Sequence, residues 1–327
     1  MNWNFALSSK RTVVSGIIGA CLALSAGSVL AGDATQKVTD DRGVEVQVPA
    51  EPKRIASISF FGDDLALALG IKPVASTYMV EGRPPEFLLG LTKDMTQIGQ
   101  RAKPNLELLS DAKPDLIIAI RRYTVGNAPQ LEKIAPYVAY NMELLDGSEK
   151  EIEQVSKILG KPERGLELNK AFRTHLSEIA QKAPKDTHPR FAIMWGGEVP
   201  FAFHNENTSA SIVKAIGGEN IAGAMTPGGE FGIDLSLETM LEKDPEVLFI
   251  YDYGPDRPHE NNPIWSQLTA VKNNRVFYVG DHWVETNGPI AREIVLREAA
   301  HYLYPDVFPK VDVKAEAAKI IPAEVQQ

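Results

Sequence analysis

Short apolar runs alternate along the chain with helical patterns, and one such pair of elements occurs twice. The first copy is NLELLSDAKPDLIIAI at residues 105–120, and the second is SLETMLEKDPEVLFIY at residues 236–251. Each copy has a Leu–Glu pair, a helical run, a proline seven residues after the glutamate and then a continuous apolar run. Each copy therefore predicts a helix followed by a buried strand, and the repetition indicates two units of similar plan.

Strand-like runs separated by helical patterns fill the first half of the chain. An alternating pattern at 38–49, with Asp41-Arg42-Gly43 at its turn, predicts a hairpin. The strands predicted after it are RIASIS (54–59), KPVAST (72–77), DLIIAI (115–120) and YVAY (137–140), and the helices are 63–70, 105–113, 128–135 and 148–160. Continuous apolar strands that alternate with helices are typical of a parallel α/β sheet.

The alternation restarts after a long helical pattern at 162–182, which Pro162 opens. The strands predicted in the second half are RFAIMW (190–195), EVLFIY (246–251) and RVFYVG (275–280), and the helices are 211–218, 236–244, 263–272 and 289–304. We therefore predict two α/β lobes joined by one long helix. The predicted bounds are 32–160 for the N-terminal lobe, 161–184 for the connecting helix and 185–327 for the C-terminal lobe.

The first 31 residues have the pattern of a cleavable signal peptide. Lys10 and Arg11 precede an apolar run, and Val29-Leu30-Ala31 matches the small-x-small rule for cleavage. Cys21, the single cysteine, lies inside that run, and IGAC is a loose match to a lipoprotein cleavage site. We expect an exported protein that begins near Gly32 and has no disulfide, with a lipid anchor at Cys21 as the alternative.

Charge and missing motifs exclude several classes of function. The formal net charge is −9 and becomes more negative once Lys10 and Arg11 are removed, which argues against nucleic acid as a partner. The chain has no G-x-S-x-G elbow, no phosphate-binding glycine loop and no H-E-x-x-H zinc motif. These absences disfavour an enzyme, and the histidines His204 and His282 are expected to be hydrogen-bonded groups rather than metal ligands.

Arginine and aromatic residues are concentrated just after the predicted strands, where parallel α/β sheets bind ligands. The candidate ligand-binding residues are Tyr78, Arg83, Arg101, Arg121, Arg122, Tyr123, Trp195, Tyr253, Arg257 and Trp283. Arginine binds carboxylates through paired hydrogen bonds, and Tyr and Trp provide flat walls with a polar tip. Such a set predicts a cleft for an anionic, partly apolar molecule. The alternative is that each arginine is a solvated loop residue and each tryptophan part of a lobe core.

Three segments carry a resemblance to a known family. VTDDRGVEVQVPAEPKRIASIS (38–59), IGQRAKPNLELLSDAKPDLIIAI (98–120) and PIWSQLTAVKNNRVFYVG (263–280) occur in order. They resemble the periplasmic iron-siderophore binding proteins of ABC importers, a family that also includes cobalamin and haem binders. IGQRAKPNLE together with FAFHNENTSASIVKAIGG (201–218) is most similar to the ferric-dicitrate binders.

The resemblance implies a class III periplasmic binding protein, in which two Rossmann-like lobes joined by one rigid helix enclose a shallow cleft. It implies a monomer in the periplasm that takes part in iron transport and homeostasis, without enzymatic activity or a cofactor. The ligand would be an Fe(III)-siderophore chelate of the carboxylate or citrate type, delivered to an inner-membrane ABC permease. The protein would not ligate the metal directly, because the siderophore does so.

Individual roles also follow from the resemblance. Arg101 and the residues from Arg121 to Tyr123 match positions that contact the chelate, and Glu107 and Glu238 match the glutamates that dock on the permease. Each glutamate also lies in the first turn of a predicted helix, where a negative charge gains about 0.3–1 kcal/mol from the helix dipole. Dipole stabilisation is therefore the alternative role for Glu107 and Glu238.

Two other functions remain open from the sequence. A haem or cobalamin binder of the same fold is the first, and for haem an axial ligand would be expected at Tyr78, Tyr123 or His204. An exported hydrolase is the second, although no nucleophile motif supports it. The sequence leaves the siderophore, the chelate stoichiometry and the permease undetermined.

Overall fold

A two-stranded hairpin precedes the two large sheets of the fold. The computed structural model describes residues 34–226 and 229–326. The predicted signal peptide and Cys21 lie outside these residues. Strand β1 (Thr35–Thr39) pairs antiparallel with β2 (Glu45–Pro49), and Gly43 adopts a φ of 74° in the turn between them. The hairpin predicted from the alternating pattern is therefore confirmed.

The first sheet has six strands in the order β6-β5-β4-β3-β7-β8, all parallel except β6. Its strands are β3 (Ile55–Ile58), β4 (Ala75–Tyr78), β5 (Thr96–Gln100), β6 (Lys103–Pro104), β7 (Leu116–Ile120) and β8 (Tyr137–Tyr140). The accompanying helices are α1 (Phe60–Ala68), α2 (Leu106–Asp111), α3 (Arg121–Thr124), α4 (Ala128–Leu131) and α5 (Leu145–Ile158). Every residue of β3, β7 and β8 is buried, which explains why these strands read as continuous apolar runs.

Helix α6 (Pro162–Lys182) follows α5 and leads to the second sheet. Proline is favourable in the first turn of a helix, where its missing N–H has no helical partner to lose. Leu168, Phe172 and Ile179 are among the residues that α6 buries. A helix with one apolar stripe packed on the protein is a stiff link between the two sheets.

The second sheet also has six strands, with the order β12-β10-β9-β13-β14 and with β11 paired to β9. The strands are β9 (Arg190–Trp195), β10 (Phe201–Phe203), β11 (Glu219–Asn220), β12 (Gly232–Asp234), β13 (Val247–Tyr251) and β14 (Val276–Val279). The helices that follow α6 are α7 (Thr208–Ala215), α8 (Leu237–Lys243), α9 (Thr269–Lys272), α10 (Pro289–Leu303) and α11 (Val313–Ile320). We call residues 55–158 the first lobe and residues 190–303 the second lobe.

The last two helices return to the first lobe. Ile290 and Ile294 of α10 and Ala317 of α11 belong to the same apolar core as α1 and β3. Both side-chain oxygens of Asp64, on α1, accept hydrogen bonds from the first backbone amides of α10, at Ile290 and Ala291, each over 2.8 Å. Thus the segment predicted to lie in the C-terminal lobe also completes the core of the first lobe.

Local sequence patterns missed or mispredicted several short elements. The helix predicted at 263–272 is a 3-10 turn (Trp265–Gln267) followed by the short α9. The elements that were not predicted are β5, β6, β10, β11, β12, α3 and α11. In residues 34–226 and 229–326, no helix combines the length and the apolar character that a membrane span requires.

Candidate functional site

A cavity of about 510 Å³ opens between the two lobes. Six aromatic side chains line it: Tyr78, Tyr123, Trp195, Tyr251, Tyr253 and Tyr278. Arg101 and Arg257 supply its cationic groups, and Gln100 and His259 are further polar residues in its lining. A concave site with aromatic walls and a few polar groups is suited to an organic ligand with negatively charged substituents.

The strand ends explain why these residues meet. Tyr78 is the last residue of β4, Trp195 of β9 and Tyr251 of β13, while Tyr123 lies in α3 directly after β7. Strands β4 and β7 run parallel in the first sheet and β9 and β13 in the second, so the carboxyl ends of each pair lie at one edge of their own sheet. The two edges face each other across the cleft.

The second-lobe wall of the cavity is a packed aromatic group. The ring centroid of Trp195 lies 4.7 Å from that of Tyr251 and 6.1 Å from that of Tyr253. The hydroxyl of Tyr251 donates to Oδ1 of Asp281 over 2.6 Å, and burial raises the pKa of Tyr251 above its ordinary value. Tyr253 is 55% exposed, so it stands at the mouth of the cavity while Tyr251 forms its floor.

Arg101 lies at the base of the cavity and is only 7% exposed. Its Nη1 donates to Oε1 of Glu285, and the backbone N–H of Phe60 donates to Oε2 of the same carboxylate. The guanidinium also lies 5.3 Å from the ring centroid of Tyr123. Burial lowers the pKa of Arg101, although arginine stays charged at physiological pH. Arg101 thus lines the main cavity while its guanidinium is paired with the buried carboxylate of Glu285.

A smaller cavity of about 220 Å³ adjoins the main one, and the two share Arg101, Tyr123 and Trp195. Arg122 lines this smaller cavity, where its Nη1 lies 2.7 Å from Oε1 of Glu143. Burial raises the pKa of Glu143, and the nearby Arg122 opposes that shift. The smaller cavity therefore extends the site toward a second arginine–glutamate pair.

Arg257 forms the opposite side of the main cavity. Its Cζ lies 3.4 Å from the ring centroid of Tyr278, and its Nη1 lies 3.8 Å from Oε1 of Glu260. Tyr278 donates its hydroxyl hydrogen to the same Glu260 oxygen. His259 is 2% exposed beside this pair, and burial lowers its pKa, which favours the neutral ring. The positive charge of Arg257 is therefore balanced by Glu260, as that of Arg101 is by Glu285.

The sequence pattern of the periplasmic binding protein family matches residues 55–282, which include both sheets. The chain belongs to this family. It is 27% identical over 307 residues to the Fe(3+)-citrate-binding protein YfmC of Bacillus subtilis, covering 89% of this chain and 96% of that one. It is 26% identical over 264 residues to the Fe(3+) dicitrate-binding periplasmic protein FecB of Escherichia coli, covering 78% and 86%.

Solved structures show the same fold. The petrobactin-binding protein YclQ of Bacillus subtilis superposes with a TM-score of 0.71 at 18% identity, covering 83% of this chain and 99% of that one. The predicted class III fold, with two lobes joined by a long helix, is confirmed. Members of the family are binding proteins rather than enzymes.

This periplasmic binding protein brings seven of the ten predicted ligand residues to its two cavities. Tyr78, Arg101, Tyr123, Trp195, Tyr253 and Arg257 line the main cavity, and Arg122 lines the smaller one. Arg121 is exposed outside both linings, and its Nε donates to Oδ1 of Asn141 over 2.8 Å. Since α3 starts at Arg121, neighbouring side chains of this turn point in different directions.

Arg83 joins the lobes beside the cavity instead of lining it. Its Nη1 donates to the carbonyl oxygen of Asp252 over 2.6 Å, and its Nη2 donates to the hydroxyl of Tyr251 over 2.9 Å. Nη2 also lies 3.1 Å from Oδ1 of Asp281. These contacts give Arg83 a structural role in holding Tyr251 and the lobes in place.

The prediction that Trp283 lies at the cleft is wrong. Trp283 is fully buried in the second lobe, and its ring stacks on Phe249 with centroids 4.5 Å apart. Its indole N–H donates to Oε2 of Glu298 over 2.7 Å, an oxygen that His282 also contacts. The residue follows a strand in sequence, but the 3-10 turn Asp281–Trp283 directs its side chain into the core.

Phenylalanine substitutions distinguish the two tryptophans. We expect Trp195→Phe to remove most of the fluorescence quenching that a bound ferric chelate causes, because Trp195 lines both cavities. Trp283→Phe should retain quenching and binding but lower the free energy of unfolding by about 1–3 kcal/mol, because it loses ring volume and the bond to Glu298. Fluorescence titration of both variants measures quenching and binding, and urea unfolding measures the free energy of unfolding. Quenching lost only in Trp283→Phe would contradict the assignment.

Sequence reasoning missed Tyr251, His259, Tyr278 and Glu285. Tyr251 ends the strand run EVLFIY, so the strand-end rule could have selected it. His259 lies in the short 3-10 helix Pro258–Asn261, and Glu285 lies between regular elements and far in sequence from Arg101 and Phe60, so no local pattern marks either residue. Tyr278 lies within β14 rather than after it.

The two glutamates at the repeated segment are exposed. Glu107 and Glu238 lie in the first turns of α2 and α8, whose N-caps are Asn105 and Ser236. The side chain of Asn105 accepts from the amides of Glu107 and Leu108, and that of Ser236 accepts from Thr239. Both carboxylates are therefore free to face a partner, and both also gain from the helix dipole.

Among the described residues, no group of three or more His, Cys, Asp and Glu side chains is arranged to hold a metal ion. His204 is 7% exposed, and its Nδ1 lies 3.1 Å from the carbonyl oxygen of Ala222. His282 contacts Glu298 in the second-lobe core. Both histidines are hydrogen-bonded inside the protein, and neither lines the main cavity.

Proposed function

We propose that this protein is the substrate-binding protein of an ABC importer and that it captures a ferric siderophore in the cleft between its lobes. The observation that carries the proposal is the 510 Å³ cavity at the facing strand ends, with six aromatic residues and two arginines in its lining. The similarity to YfmC and FecB, whose names specify ferric citrate, supports the same class of cargo.

The proposed chelate carries carboxylate or α-hydroxycarboxylate groups, as in citrate. Arg101 and Arg257 in the main cavity and Arg122 in the smaller one would donate hydrogen bonds to its oxygens. The aromatic rings would cover its apolar surface. The iron stays coordinated by the siderophore, and the protein contacts only the outside of the complex.

Transport requires export and a membrane partner. We propose that the first 31 residues direct export to the periplasm, with anchoring at Cys21 as the alternative. Glu107 and Glu238 would then dock the loaded protein on the permease, one through each lobe. The α6 link between the lobes favours a small closure on ligand binding, because a helix cannot bend as a loop hinge does.

A fluorescence titration of the purified protein tests the proposal. We expect saturable quenching by ferric citrate, with iron-free citrate as the control that causes none. Ferric hydroxamate and ferric catecholate chelates define selectivity, and haemin and cobalamin test the other ligands of the family. Binding of haemin with a Soret band, or of cobalamin, in the absence of binding to any ferric chelate would contradict the proposal.

A further inference from the structure

Glu285 reaches from the second lobe across the cleft to the first lobe. It lies between the 3-10 turn Asp281–Trp283 and α10 of the second lobe, yet its carboxylate reaches the first lobe. One oxygen accepts from Arg101 and the other from the backbone N–H of Phe60, the first residue of α1. Glu285 is 4% exposed and lines the smaller cavity. It therefore connects the lobes at the point where the two cavities meet.

The surroundings of Glu285 stabilise its charged form. A carboxylate at the N-terminus of a helix interacts favourably with the helix dipole, and the Phe60 N–H is one of the free amides at the start of α1. Arg101 supplies the opposite charge. Glu285 thus places a fixed negative charge beside the arginine that the ligand would meet.

The other carboxylates of the site are more exposed than Glu285. The side chain of Glu143, which pairs with Arg122, is 24% exposed, and that of Glu260, beside Arg257, is 40% exposed. The side chain of Glu285 is only 4% exposed, and its second oxygen is bound by a backbone donor of the first lobe. Few other positions are therefore open to its carboxylate.

We propose that Glu285 is a positioning and specificity-determining residue of the cleft: it fixes Arg101 between the two cavities and cancels most of its charge. As a result, the affinity of the site for a ferric chelate falls as the net negative charge of the chelate rises. This inference rests on the proposed capture of a ferric siderophore, and it specifies the charge class of that ligand.

The test compares Glu285→Gln with the wild-type protein on three probes. These are an uncharged ferric tris-hydroxamate, ferric citrate and a multiply anionic ferric tris-catecholate. The glutamine carbonyl can retain the bond from Phe60, while Arg101 loses its counter-charge. We expect the affinity for the tris-catecholate, relative to the tris-hydroxamate, to rise about tenfold. Glu163→Gln removes the same charge from the exposed first turn of α6 and should leave this ratio unchanged.

A double-mutant cycle shows whether the effect passes through Arg101. In the Arg101→Gln background, adding Glu285→Gln removes the unopposed carboxylate, so the double variant should return the affinity ratio to within about twofold of wild type, because the pair carries no net charge in either protein. The single variant Arg101→Gln, which leaves Glu285 unopposed, should shift the ratio toward the uncharged chelate. That measurement also tests the proposal if Glu285→Gln does not fold.

The outcomes separate this inference from the proposed function. If the wild-type protein binds no ferric chelate, the proposed function fails. If it binds ferric chelates but the ratio stays within about twofold of wild type in both folded single variants, the charge-setting role of Glu285 is overturned while the proposed function stands. A double variant whose ratio stays as low as that of Arg101→Gln would overturn the cancellation of the Arg101 charge by Glu285.

Discussion

Arg101→Gln is expected to weaken binding of ferric citrate about a hundredfold, so that quenching no longer saturates at concentrations that saturate the wild-type protein. The substitution removes a cation from the base of the main cavity. It also leaves Glu285 buried without its partner, and that uncompensated charge repels an anionic chelate. Fluorescence titration or calorimetry measures the change.

Loss of stability must be separated from loss of binding in this variant. Breaking a buried ion pair costs about 3–5 kcal/mol of folding free energy, so urea unfolding is measured alongside binding. Arg121→Gln is the matched control, because Arg121 lies in the same chain segment but outside both cavities. We expect it to bind normally. Wild-type affinity in a folded Arg101→Gln protein would exclude Arg101 as a ligand contact.

Reversing the charge of both glutamates proposed to dock on the permease, Glu107→Lys with Glu238→Lys, is expected to reduce iron uptake from ferric citrate to the level of cells without the protein. Each single reversal should reduce uptake about tenfold, because like charges across an interface are strongly unfavourable. Binding of the chelate to the purified double variant should be unchanged, because neither residue lines a cavity. Radioactive iron uptake and fluorescence titration measure the two effects.

Glu163→Lys is the control for the helix-dipole alternative. Glu163 lies in the first turn of α6 and is exposed, so its reversal carries a similar dipole cost. It should reduce stability slightly and leave uptake intact. Normal uptake by the Glu107→Lys, Glu238→Lys protein would mean that these glutamates only stabilise their helices.

Local sequence features predicted most of the secondary structure, because the residue patterns that mark a helix or a strand lie within the element itself or next to it. The buried strands β7, β8 and β13 appear as unbroken apolar runs, and Pro162 marks the start of α6. The cap at Asn105 also follows from residue type, since its side chain accepts hydrogen bonds from the first turn of α2. The broken helix at 263–272 shows the limit of this reasoning, because packing of Trp265 overrides the helical pattern.

The candidate site was predictable only in part. Strand ends identified Tyr78, Trp195 and Tyr253 because the carboxyl ends of parallel strands meet at one edge. The same rule placed Trp283 at the cleft, although its side chain turns into the second-lobe core. Sequence position after a strand does not determine the direction of a side chain within a following turn.

The sequence by itself determined the two-lobed α/β plan and the arginine-rich and aromatic character of the strand ends, since periodicity and composition are properties of neighbouring residues. Only the tertiary structure decided which of these residues face the ligand space and which carboxylate pairs with each arginine. Arg101 and Glu285 are 184 residues apart, and Arg83 and Asp281 are 198 apart. Contacts over such separations depend on the packing of the two lobes, and no local pattern encodes them.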